Sequence, residues 1–268
     1  MKTPLAKLLA LASLGAMMLL GMHSAYAQAF PSLFPRQQAK SAREMAPVDF
    51  TGQWVSVIME DWRWRMVTPL KGDFSNIPVN AAAREVGETW DPGKDTAAGE
   101  QCKGYSAPAL LREPGRVRIS WQDDNTLKLE TDAGQQIRLL NFSHSAAPPA
   151  QKSWQGYSVA KWEDPPGTNR GTFGLGLAPR AGMKSETLEV TTSQVRPGYL
   201  RKNGVPFSEQ LKMKEYFDLF AEPDGTQWFV VTTIIEDPQY LNSPWVTSLN
   251  FKREKDPSKW HPTPCSAT

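Results

Sequence analysis

The chain has 268 residues, 40% hydrophobic and 22% charged, with 30 basic against 28 acidic side chains and two cysteines. That length allows one large domain or two small ones. Lys2 and Lys7 lie in an N-terminal leader, so the remainder balances at 28 against 28, and this charge gives no footing for a nucleic-acid partner or an anionic membrane surface.

The leader rests on three features. Residues 1–7 are basic, residues 8–22 form an apolar run of Leu, Ala and Met, and "SAYA" ends at Ala27 with the small residues a signal peptidase requires. The run, about 15 residues, is shorter than the roughly 20 that span a bilayer. Residues 1–27 therefore read as a cleaved secretory signal, leaving a mature chain without a transmembrane segment, in the periplasm or secreted. Cys102 and Cys265 are an even pair in that setting and are expected to form a disulfide. Two distant cysteines with His144 and His261 match no metal-ligand spacing, so no metal site is expected. No P-loop, dinucleotide, HExxH or CxxC pattern calls for a cofactor.

Residues 28–47 carry early prolines and no sustained period, and read as a tether or a segment lying over the fold. The stretch "DFTGQWVSVIMEDWRWRM" (49–66) then reads as one long strand. Alternation puts Trp54, Ser56, Ile58, Glu60, Trp62, Trp64 and Met66 on one face, and Gln53, Val55, Val57, Met59, Asp61, Arg63 and Arg65 on the other. A bulge near Glu60 would exchange the faces beyond it. "NAAAREVGETW" (80–90) is the one clear helical pattern, capped by Asn80 and stopped by "DP".

Strand signals follow in series at 116–121, 126–131 and 136–142, separated by the turn chemistries "QDDN" and "DAGQ". Further strands are expected at 157–163, 186–192, 211–221, 227–237 and 245–252, with "EPDGT" closing a hairpin. No repeated crossover helix accompanies them, which argues against a parallel α/β sheet. The prediction is an all-β, mainly antiparallel domain over 48–253, an up-and-down barrel of about 8–10 strands with one short helix, followed by a tail over 254–268.

Gly52-Gln53-Trp54, at the start of the first strand of a meander, resembles the Gly-x-Trp signature of lipocalin-type (calycin) barrels. The resemblance implies a Trp54 packed across the closed end and a cup holding an apolar small molecule. An insertion of about fifty residues between the first two strands departs from a simple eight-stranded cup. Residues 50–244 also resemble a group of exported bacterial proteins with "TLxxET" and "EDPxYLxxP" segments, here "TLKLET" (126–131) and "EDPQYLNSP" (236–244). That likeness implies a shared fold and no particular activity.

Among candidate site residues the carboxylates stand out. Glu215 is the only polar residue on the face that holds Leu211, Met213, Phe217 and Leu219, so it must find a hydrogen bond, a cation or a ligand. Glu60 is placed the same way between Ile58 and Trp62. In a closed barrel both would enter one cavity walled by Trp62, Trp64 and Trp121, with Arg63 and Arg65 lining it if the faces are reversed. A structural salt bridge from Glu215 to Arg63 or Arg65 competes with that reading.

His144, just after a strand, is a surface histidine or a general base. "GYSAP" (104–108) and "GYSVA" (156–160) each fall one residue short of a serine-hydrolase elbow and read as loop serines. "GTFGLGLAPRAG" (171–182) reads as a surface loop or a cover for the barrel mouth. "YLRKNG" (199–204) with Arg196 reads as an Asn-Gly turn flanked by solvated basic residues, or as a carboxylate site.

The function these features predict is the binding of an apolar or aromatic small molecule in an internal cavity. Two alternatives stay open. One is a cofactor-free hydratase, cyclase or isomerase in which Glu215 and Glu60 exchange protons with the ligand. The other is an envelope structural or interaction module.

Overall fold

The computed structural model describes residues 40–142, 148–163 and 186–268. The chain divides into two units, 1–40 and 41–268, and all that follows concerns the second. Its frame is a closed barrel of nine strands: β1 (Gly52–Val57), β2 (Arg116–Asp123), β3 (Thr126–Thr131), β4 (Ile137–Asn141), β5 (Tyr157–Trp162), β6 (Leu188–Ser193), then β9 (Lys212–Ala221), β10 (Gln227–Glu236) and β11 (Trp245–Arg253). Between β6 and β9 the chain makes a separate hairpin, β7 (Gly198–Arg201) and β8 (Val205–Phe207).

Neighbours in the barrel follow chain order, and β1 closes the ring by pairing with both β11 and β2. Every pair is antiparallel except β4 with β5, which is parallel and registers only Leu140 with Ser158 and Asn141 with Val159. Alternation sets what faces inward: Val117 and Ile119 on β2 and Leu127 and Leu129 on β3 are buried, while the intervening Arg116, Arg118 and Lys128 are not.

One half of the interior is built around a cluster of aromatic rings. Trp54 is wholly buried, its indole N–H donates to Phe50 O (2.9 Å), and Phe229 meets it edge-on at 4.8 Å and stacks on Phe251 at 4.5 Å. The Arg253 guanidinium lies 3.9 Å over the Trp54 ring. That crossing explains the glycine of Gly52-Gln53-Trp54. Gly52 has φ +124°, and a Cβ there would fall 1.8 Å from Arg253 Nη1. Residues 41–50 lie over this end of the barrel: Ala42 N donates to Asn125 Oδ1 (3.0 Å), and Phe50, Val48 and Ala46 pack on the aromatic cluster.

The other half is filled from outside the barrel. Residues between β1 and β2 form four short helices, α1 (Trp62–Arg65), α2 (Ala81–Glu88), α3 (Pro92–Ala97) and α4 (Ala107–Leu110). Phe74, Ile77, Val79, Ala83 and Ala107 from this insertion, with Leu200, Val205 and Phe207 of the β7–β8 hairpin, pack against Met213, Ile235 and Trp245 of the barrel. Asn80 caps α2 by accepting from Ala83 N (3.0 Å), as its sequence suggests.

Three expectations are corrected. The strand over 49–66 stops at Val57, because Asp61 adopts a left-handed conformation (φ 51°) and opens α1. No strand face joins Trp62 and Trp64. The single predicted helix has three further short companions, each too brief to show a helical period. The Asn203-Gly204 turn is present and closes β7 onto β8, with Gly204 at φ +83°, but Arg201 beside it is buried.

Cys102 and Cys265 form a disulfide, 163 residues apart in sequence. It holds the tail against the insertion, and Thr263 N donates to Asp132 O (2.9 Å) in the β3–β4 turn. No helix among the described residues is long and apolar enough to cross a membrane.

Candidate functional site

Glu215 points into the barrel, almost fully buried between Met213 and Phe217. Its partner is Arg138 of β4, equally buried, which donates to both carboxylate oxygens, with Nη1 2.9 Å from Oε1. Arg138 Nε also donates to Ser158 Oγ (3.1 Å), and Nη2 to Thr192 Oγ1 (2.7 Å). Thr233 stands directly opposite Glu215, and Thr247 opposite Thr233. These residues make a thin polar layer between the two apolar clusters.

The expected salt bridge of Glu215 therefore exists with a partner other than Arg63 or Arg65. Every nitrogen of the Arg138 guanidinium is engaged, as a buried ion requires. Ser158 of "GYSVA" is a strand residue within this network, not a loop serine. Ser106 of "GYSAP" opens α4, buried, its hydroxyl without a hydrogen-bond partner among the described residues, and forms no elbow.

Trp121 lies at the end covered by residues 41–50, its ring 5.5 Å from Phe142, and borders an open groove of ≈ 360 Å³ with Ala46, Pro47 and Val48. His144 and the stretch 171–182 fall outside the described residues.

The remaining candidates gather at the opposite end, in the insertion. Glu60 accepts from Ser248 N (3.0 Å) and lies 3.8 Å from Arg112 Nη1. Asp61 accepts from Arg112 Nη2 (2.8 Å) and Asn76 Nδ2 (2.9 Å). Arg112 itself stacks 4.8 Å over Trp245 at the rim of the barrel. Burial raises the Glu60 carboxyl above its ordinary value.

Arg65 is the group left incomplete. It is 7% exposed and donates through Nε to Arg112 O (2.9 Å), while Nη1 and Nη2 are enclosed without a hydrogen-bond partner among the described residues. Burial, with the neighbouring Arg112 cation second, pushes its pKa down to about 10. Glu60, Asp61 and Glu113 act on it only through space.

Arg65 forms part of the wall of a cleft of ≈ 330 Å³. Trp64, Met66, Pro69, Tyr105 and Pro114 supply apolar and aromatic surface, and Glu113, Arg201 and Lys202 supply charge. Trp64 is fixed by its indole N–H, which donates to Asp73 Oδ2 (3.0 Å). Lys202 Nζ is held 2.8 Å from Glu113 Oε2 and lies over the Tyr105 ring. Arg201 spends its donors on Asn203 Oδ1, Ser75 O and Asp73 O. The other cations of the cleft are thus committed, and Arg65 alone among them keeps unpartnered terminal nitrogens.

The structure brings Trp64, Arg65 and Glu60 into one region and keeps Glu215 and Trp121 out of it. Trp62 is 65% exposed, and Arg63 beside it is exposed. Among the described residues no group of three or more His, Cys, Asp or Glu side chains is placed to hold a metal ion. No family model, curated protein or solved structure matches the chain.

Proposed function

We propose that the protein is a small-molecule binding protein on a lipocalin-like barrel, exported to an oxidising compartment, and that its ligand has an apolar or aromatic body carrying a carboxylate. The seat is the cleft of Trp64, Arg65 and Tyr105. The barrel interior, occupied by packed rings and the Arg138–Glu215 pair, serves as the frame.

One observation carries this reading: an enclosed guanidinium whose two terminal nitrogens have no partner among the described residues, in the wall of a cleft that also presents the rings of Trp64 and Tyr105. A buried donor without an acceptor costs about 1–3 kcal/mol, more when charged. A ligand carboxylate that displaces part of the cleft wall and reaches these nitrogens would remove that cost, because its two oxygens match the planar fork of a guanidinium. The rings of Trp64 and Tyr105 would take the apolar body. The disulfide supports the exported location.

Native mass spectrometry of protein purified from its own source tests the reading. The expected result is a co-purifying organic acid that is lost from an Arg65→Gln variant with an unchanged circular dichroism spectrum. A ligand-free protein that also fails to bind added benzoate overturns it.

A further inference from the structure

The segment 59–71 is sorted into two sides. Four of its hydrogen-bonding groups turn inward: Glu60 to Ser248 N, Asp61 to Arg112 and Asn76, Trp64 to Asp73, and Arg65 to the Arg112 carbonyl. Its outer side presents Met59, Trp62, Met66, Val67 and Leu70, between 57% and 83% exposed. These five are half of the large apolar side chains exposed among the described residues, and they fall within twelve positions. Scattered exposure is ordinary on a soluble surface; concentration of this kind is not.

The exposed charge of the segment is of one sign. Arg63 and Lys71 are exposed and make no ion pair among the described residues, whereas both acids inside the segment are bonded inward. An exposed acid, Glu88, abuts Gly72 at the border of the patch. A balanced overall charge thus conceals a local excess of cations. Inward anchors also hold the segment in place, so docking would not have to order it first.

We infer that this apolar, cationic face docks on the surface of an anionic lipid bilayer. Met, Val and Leu side chains would enter the boundary between headgroups and acyl chains, Trp62 would lie at headgroup level, and Arg63 and Lys71 would meet lipid phosphates. A face of a second copy would carry the same two cations against this patch, so charge favours the lipid. The inference does not depend on the cleft being occupied.

Flotation of the protein with vesicles tests it, comparing phosphatidylcholine alone with phosphatidylcholine containing phosphatidylglycerol, at low and high salt. The protein should float with the phosphatidylglycerol vesicles at low salt, and Trp62 should contribute a blue shift of emission that is absent in Trp62→Ser. Removing the cations in Arg63→Ser/Lys71→Ser should lower binding about fivefold per charge, and salt should weaken it. These substitutions are on exposed side chains and should leave the fold intact. The inference is overturned if the protein stays unbound at low salt, if the variants float as well as the parent, or if sedimentation shows a dimer that buries Trp62 and ignores vesicles.

Discussion

Arg138 on β4 and Glu215 on β9 meet inside the barrel across two intervening strands, and the guanidinium donates to one hydroxyl from each strand it crosses, Ser158 on β5 and Thr192 on β6. The bridge spans the parallel β4–β5 seam, where the backbone register is only two pairs long. The side chains therefore tie together a part of the ring that the backbone joins least.

Glu215→Gln should cost about 3–5 kcal/mol, because it leaves Arg138 buried without a counter-charge. Arg138→Met/Glu215→Leu, which removes both charges at similar volume, should be near neutral or stabilising. Chemical denaturation of the two variants checks the pair. A Glu215→Gln protein as stable as the parent would show that the bridge is not structural.

Loss of the Cys102–Cys265 disulfide should cost about 2–5 kcal/mol, since it closes a long loop. Cys102→Ser/Cys265→Ser should melt earlier and release the tail to proteolysis after residue 254. The parent protein, unfolded without reductant, should titrate with no free thiol. Two thiols in that titration would contradict the pairing.

Glu60 gives a dependence on pH. Its folded pKa is raised above the unfolded value of 4.5, chiefly by burial, so the folded state holds the proton more tightly. Its contribution to stability is full below pH 4.5 and is lost as pH rises through the higher folded value. The stability of Glu60→Gln relative to the parent should therefore improve on going from pH 4 to pH 7. A difference that stays constant, measured by urea unfolding across that range, would contradict the assignment.

The barrel was legible in the sequence because its strands alternate over enough residues to show a period of two. β3 was read at its observed bounds, Thr126–Thr131. The segment 58–66 misled because alternation continues through Ile58, Glu60 and Trp62, while what ends the strand is remote: Asp61 is turned by contacts to Asn76 and Arg112. The reasoning that picked out Glu215 applies equally to Arg138, a lone cation on the face of Leu140 and Phe142, so that partner was within reach. The cleft was not. Trp64 and Arg65, Tyr105 and Glu113, and Arg201 and Lys202 come from three separate stretches, and only the packing of the insertion against the β7–β8 hairpin brings them together.

Arg65 has as its neighbour in the cleft Trp64, whose indole N–H gives one signal in a ¹H–¹⁵N spectrum, assigned by its loss in Trp64→Phe. Titration with benzoate should move that signal saturably, and neutral benzyl alcohol should bind at least about tenfold more weakly, the equivalent of 1.4 kcal/mol. Equal affinities for the acid and the alcohol, or a Trp64 signal that neither compound moves, would contradict recognition of a carboxylate by Arg65 in this cleft.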